Sequence, residues 1–162
     1  MSVADEFLQA DAKYAATFHK GDLPMPPARK VAVVTCMDAR LDPAKFLGLE
    51  EGDAHVIRNA GGRAADAIRS LVISQQLLGT REIVLIHHTE CGMLTFTDDQ
   101  LNQKLHDELH AHADFPFLPF DDLEQSVRDD LAVLRDSPLL MPNIPLRGFI
   151  YDVHTGKLNE IV

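Results

Sequence analysis

Two short stretches of this chain carry side chains suited to chemistry. VAVVTCMDARLDP, residues 31–43, begins as an apolar strand and then offers Cys36, Asp38 and Arg40 at alternate positions. EIVLIHHTECG, residues 82–92, closes a nearly continuous apolar run with His88 and, three residues on, Cys91. Cys36, His88 and Cys91 amount to two thiolates and an imidazole, a soft donor set that suits Zn²⁺. His-x-x-Cys lets one tight turn present two ligands, and a cysteine from a neighbouring strand fixes the site to the scaffold. Three protein ligands leave one tetrahedral position open, as in catalytic rather than structural zinc sites, and a water there is acidified to a pKa of about 7.

Asp38 lies two residues after Cys36, so on an extended backbone both point the same way. It can bind the metal as a fourth ligand and close the site, or accept a hydrogen bond from a metal-bound water. Arg40, two residues further, can hold Asp38 in a bidentate pair that keeps it ionised and off the metal. Each feature has a plainer explanation. Cysteine is often a small buried hydrophobe, two cysteines can form a disulfide, and an Asp–Arg pair can be a local ion pair. The occurrence of Cys-x-Asp-x-Arg and His-x-x-Cys at two strand ends favours a metal site built from Cys36, His88 and Cys91.

Such a site needs strands that end together. Strand patterns fall at 31–36, 54–62 (running into the Gly61-Gly62 pair), 82–88 and 146–153, with a short one at 158–161 after the HTGK turn. Between them the spacing predicts a short helix at 43–47 and helices over 63–78 (ended by Gly79), 97–111 (Thr97 and Gln100 as a capping box) and 121–136 (Asp121 as cap, Glu124 at N3). Strands alternating with helices imply an α/β fold: a mainly parallel four-stranded sheet with an extra edge strand and helices on both faces. In such sheets ligands gather at the carboxyl ends of the strands. Ahead of the sheet, residues 2–18 read as an amphipathic helix with Phe7, Leu8, Ala12, Ala15 and Phe18 near one face. HKGDLPMPPARK, residues 19–30, then breaks all periodicity. Residues 1–162 are expected to be one domain, with 1–30 as an arm that folds back or docks on a neighbour.

Composition narrows the functions. The chain has 162 residues, 46% hydrophobic and 25% charged, with 25 acidic against 15 basic side chains and a net charge of −10. That balance argues against a nucleic-acid surface or a polybasic membrane anchor, which need clustered Lys and Arg. The opening MSVADEFLQA lacks the charged and apolar regions of a secretion signal. With two cysteines, a reducing cytoplasmic setting is the expectation.

CMDAR, VIRNAGG and HHTECG, in this order and spacing, resemble the β-class carbonic anhydrases over most of residues 31–94. The resemblance implies Zn²⁺ held by Cys36, His88 and Cys91, with Asp38 and Arg40 as the dyad that gates and orients a zinc hydroxide, and with Gly92 lending its backbone N–H to substrate or product. It implies reversible hydration of CO₂ to bicarbonate, and a homodimer or homotetramer with N-terminal helices wrapped on the neighbour. The short HHTECGML variety also resembles a branch that includes carbonyl sulfide hydrolases, so hydrolysis of carbonyl sulfide or carbon disulfide at the same zinc is the alternative. A non-catalytic zinc module, with Asp38 locked on the metal, is a third reading. The sequence departs from better-known members in its shortness, in Met93-Leu94 after the Cys-Gly pair, and in its few aromatics, 6% with no Trp, which leave the pocket wall unassigned.

Other features carry less. HDELH, residues 106–110, is near the H-E-x-x-H of zinc proteases but has Asp107 where the general-base Glu belongs, and it reads as a solvated helix face. Gly61-Gly62 is a lone pair, suited to close packing beside the metal rather than to a dinucleotide. His87 faces away from His88 and should pack. Arg58 should meet an acid or an interface.

Overall fold

The computed structural model describes residues 2–162. The β-branched run that opens VAVVTCMDARLDP forms β1 (Val31–Cys36). It lies second in one five-stranded sheet, between the edge strand β2 (Ala54–Asn59) and the central strand β3 (Glu82–His88). β4 (Leu146–Tyr151) follows β3 in space, and β5 (Leu158–Ile161) closes the edge. The pairs β1–β2, β1–β3 and β3–β4 are parallel, and β4–β5 is antiparallel. The chain leaves β1 for β2 on one side and then crosses over to β3 on the other. That reversal opens a crevice between the carboxyl ends of β1 and β3, the usual ligand site of an open α/β sheet.

One face of the sheet carries the main core. Ala32, Val34, Ile83, Leu85 and Ile150 pack with Leu71 of α3 (Ile68–Gln76) and with Val127, Leu131 and Leu134 of α5 (Leu123–Asp136). Gly148 of β4 lets α5 seat: an added Cβ would stand 2.6 Å from Val127 Cγ1 and 2.8 Å from Leu131 Cδ1. Gly148→Ala therefore overpacks this contact. It should cost about 1–3 kcal/mol, seen as a lower midpoint in chemical denaturation; an unchanged midpoint would contradict the packing described. On the opposite face, Phe46 of α2 (Pro43–Leu47) stacks on Tyr151 at 4.4 Å between ring centroids.

Two helix starts differ from the sequence expectation, and the helices expected over 2–18, 63–78 and 97–111 end earlier, at Ala15, Gln76 and Leu109. α3 starts at Ile68, not 63, because Arg63 is extended (φ −71°, ψ 131°) and its neighbours are tied to distant groups described below. α5 is capped by Asp122, not Asp121, and its carboxylate accepts from Gln125 N at 2.9 Å, so N3 is Gln125 rather than Glu124. The capping box of α4 (Asp98–Leu109) is as expected: Gln100 N donates to Thr97 Oγ1 and Thr97 N to Gln100 Oε1.

The N-terminal helix, α1 (Val3–Ala15), has no buried residue, and Phe7 and Leu8 are 67% and 70% exposed. It is tethered to the 50–51 turn by polar contacts, Tyr14 Oη to Glu51 at 3.0 Å and Lys20 Nζ to Glu50 and Glu51 at 3.0 and 2.6 Å. Among the described residues no helix is long and apolar enough to cross a membrane.

Candidate metal centre

At the β1 tip the chain leaves the sheet, and its carbonyls need new partners. Arg58, at the end of β2, supplies them. Its Nε donates to Cys36 O at 2.9 Å, and its Nη2 donates to Asp38 O at 2.8 Å and to Leu41 O at 3.1 Å. The expected acid partner or interface role is thus replaced by a backbone clamp on the Cys36–Leu41 segment. The only sequence signal for this was an arginine placed beside a strand that ends in polar residues.

The tip of β3 is held as firmly. Thr89 N donates to Tyr151 O at 3.0 Å, and Val153 N donates to Thr89 Oγ1 at 3.0 Å. Glu90 turns the chain with φ 53° and brings Cys91 back under His88. Both cysteines are free and buried, so the disulfide alternative does not hold. Sγ of Cys36, Sγ of Cys91 and a ring nitrogen of His88 all lie within 4.8 Å of one another. His88 Nδ1 donates to Thr89 O at 2.8 Å, which fixes the tautomer and leaves Nε2 as a bare lone pair. That Nε2 is fully buried and has no hydrogen-bond partner among the described residues. An orphaned nitrogen facing two thiols is costly unless a cation takes all three. The residues fit a Zn²⁺ ion.

The electrostatics agree. The Cys91 thiol, with help from His88 and the N–H groups of Asp38 and Gly61, pulls the Cys36 pKa well below the thiol range although burial opposes it. The thiolate at Cys36, with burial, pushes Cys91 up. Asp38 lies next to this cluster, its Oδ2 3.6 Å from His88 Nε2. Its carboxylate accepts three bonds from Arg40: from Nε at 3.0 Å, from Nη2 at 2.8 Å and from the backbone N at 2.8 Å. These hold its carboxyl far below the usual range. Arg40 Nη2 also donates to Glu90 O at 2.9 Å, so the guanidinium joins the two strand tips.

A cavity of about 390 Å³ opens on the cluster. Its wall is mostly apolar, with Met37, Met93, Phe96, Leu101 and Phe117, and it reaches Cys36, Asp38, Cys91 and Gly92. Phe96, Phe117 and Leu101 are the pocket wall that the sequence left unassigned; nothing in their spacing marks them. A wider cleft of about 470 Å³ runs alongside, past Thr97, Gln100 and Phe120, and contains none of the donor groups. The three histidines of α4 and its exit take no part. His106 and His110 stand edge to face at 6.4 Å on an exposed face, away from the cluster.

The family model for carbonic anhydrase matches residues 31–158, four fifths of the chain. The chain belongs to the β-carbonic anhydrase family. Beta-carbonic anhydrase 1 of Mycobacterium tuberculosis is 51% identical over 162 residues, covering 99% of each chain. The crystal structure of carbonic anhydrase from Streptococcus mutans superposes with a TM-score of 0.95 at 51% identity, over 100% of this chain and 99% of the other. A carbon disulfide hydrolase of Saccharolobus solfataricus is 33% identical, over 96% of this chain and 87% of its own. This β-carbonic anhydrase family member therefore has relatives of both kinds, and the full-length match includes its N-terminal arm.

Proposed function

We propose that this protein is a zinc-dependent carbonic anhydrase that interconverts CO₂ and bicarbonate. One observation carries the reading: the convergence of Cys36, Cys91 and the unpartnered His88 Nε2 beside a small, mostly apolar cavity. Those three side chains would hold Zn²⁺, and when bound the ion supplies an acidified water able to attack an electrophilic carbon at neutral pH.

The chain's own groups do the rest. Asp38, held ionised by Arg40, offers an acceptor that orients the attacking water's remaining hydrogen. Arg40 holds Asp38 in a two-pronged contact and would keep it from joining Cys36, His88 and Cys91 as a further ligand. The side chains of Met93, Phe96, Leu101 and Phe117 exclude bulk water and suit a linear, apolar triatomic. Gly92, which lines the cavity and has no heavy atom within 4 Å of where a Cβ would stand, leaves its backbone open to the substrate or product. We take residues 1–162 as one catalytic domain and the bare apolar face of α1 as the seat of a second copy in a homo-oligomer.

The same nucleophile would attack the carbon of carbonyl sulfide or carbon disulfide. Steady-state assays on CO₂, carbonyl sulfide and carbon disulfide with one zinc-loaded preparation decide between them. The expected result is a kcat/KM for CO₂ that exceeds both sulfur substrates. Negligible CO₂ hydration with rapid sulfide release would reverse the assignment. Inactivity on all three substrates with a full zinc load would leave the non-catalytic module.

A further inference from the structure

His87, Asp130 and Arg63 form a buried polar network behind the metal cluster that the proposed reaction does not use. Asp130, on α5, is 1% exposed, and His87 is 0% exposed. Asp130 Oδ1 accepts from Arg63 Nη2 at 2.8 Å. Its Oδ2 accepts from Ala64 N at 3.0 Å and lies 3.1 Å from His87 Nε2. The same His87 nitrogen reaches Gly62 O at 3.2 Å, and His87 Nδ1 meets Ser126 Oγ at 2.8 Å. Arg63 is fixed further, its N donating to Asn59 Oδ1 at 2.7 Å and its Nη1 to Leu118 O at 3.1 Å. Its guanidinium sits 5.1 Å from the Phe120 ring centroid, and His87 stacks on the same ring. Burial opposes ionisation of Asp130, but the His87 bond, Arg63 and the Ala64 N–H together lower its pKa.

The bonds from Asp130 to Arg63 and Ala64, from His87 to Gly62 and from Arg63 to Asn59 and Leu118 all end on one short segment, residues 60–64, which also carries a backbone donor to Cys36. Gly61 N donates to Cys36 Sγ at 3.3 Å. Gly61 has φ 84°, and a Cβ there would meet Met93 Cγ at 2.8 Å; Gly62 has φ 64°, and a Cβ there would meet the Thr35 carbonyl carbon at 2.9 Å. Ala60, Gly61 and Gly62 have no side chain long enough to grip the sheet, so their position depends on what holds Arg63 and Ala64.

We propose that Asp130 is a positioning residue of the metal centre: through Arg63, Ala64 and His87 it holds the 60–64 segment so that the Gly61 N–H stays on the Cys36 sulfur. This rests on the zinc reading above. A hydrogen bond to a ligand sulfur withdraws charge from it and fixes its direction, so both metal affinity and the sulfur-to-metal electronic transition depend on it. Asp130 lies 94 residues from the cysteine it serves, by subtraction of their positions.

The test is Asp130→Asn in the full chain. An amide keeps the shape but turns one acceptor into a donor. In either orientation that donor faces another donor, Arg63 Nη2 on one side or Ala64 N and His87 Nε2 on the other. Zinc affinity, read by competition with a chromophoric chelator, should weaken about 10–100-fold. The sulfur-to-metal absorption band of the Co²⁺-loaded protein should shift. Arg63→Gln, which spares the buried carboxylate's other partners, should show the same changes at smaller size and carries the test if Asp130→Asn does not fold. Leu134→Ala, in the core on the same helix, should lower thermal stability and leave both readouts unchanged. Wild-type affinity and band position in the two network variants would overturn the inference, as would equal weakening in Leu134→Ala. Failure of the wild-type protein to bind zinc would instead overturn the metal reading beneath it.

Discussion

Replacing Cys91 with serine is expected to abolish CO₂ hydration. The activity should fall at least about 1,000-fold, because a water without the metal keeps a pKa near 15.7 rather than about 7. The cause lies in the donor set. Cys91 and His88 are presented by one turn, and the third donor comes from the neighbouring strand. A hydroxyl in place of the thiol is a hard, neutral and poor ligand for zinc. Two donors cannot hold the ion against dilution, so the zinc content should drop from about one ion per chain to a trace. The variant should still fold, since Cys91 adds little to the main core on the other face of the sheet. It should also unfold at lower temperature than the zinc-loaded wild type, because bound metal stabilises the native state by mass action. Full zinc content and activity in Cys91→Ser would remove Cys91 from the site.

Asp38→Ala should give the second largest loss, with a different signature. Activity is expected to fall about 10²–10⁴-fold, the range for a positioned group that handles a proton in the transition state, while zinc content stays at the wild-type level. The separation follows from the geometry. Asp38 accepts three bonds from Arg40 and is not bonded to His88 Nε2, 3.6 Å away. It is therefore committed to the arginine and not to the ligand cluster. Arg40→Lys should produce a smaller loss of the same kind, because lysine keeps the charge but cannot form the two-pronged contact. Zinc affinity measured beside kcat/KM separates the cases. If Asp38→Ala lost zinc along with activity, Asp38 would be a ligand and the site would be closed.

The parts of the structure that depend on local pattern were legible in the sequence. β1 and β3 follow directly from apolar runs and their stops, β5 from the HTGK turn before it and α2 from Pro43 at its start, and the cysteines, His88, Asp38 and Arg40 could be picked out because each sits at the end of an apolar run. The parts that depend on distant partners were not. Arg63 reads as the first turn of a helix, yet Asn59 and Asp130 hold it extended, and Asp130 lies 67 positions away. Asp121 and Asp122 are equally good caps by type, and only the fold chooses between them. Arg58 looked like half of an ion pair because nothing local shows that three carbonyls would turn toward it. α1 presents the converse case. Its amphipathic pattern is real, but Phe7 and Leu8 stay bare because none of the described residues covers them.

The central claim is that Cys36, Cys91 and His88 hold one zinc with a position left open. Extended X-ray absorption fine structure at the zinc edge of the loaded wild-type protein tests it most directly. Two sulfur neighbours are expected at about 2.3 Å and two nitrogen or oxygen neighbours at about 2.0–2.1 Å, one with the outer-shell signature of an imidazole. A shell made only of nitrogen and oxygen, or one with a single sulfur, would contradict it.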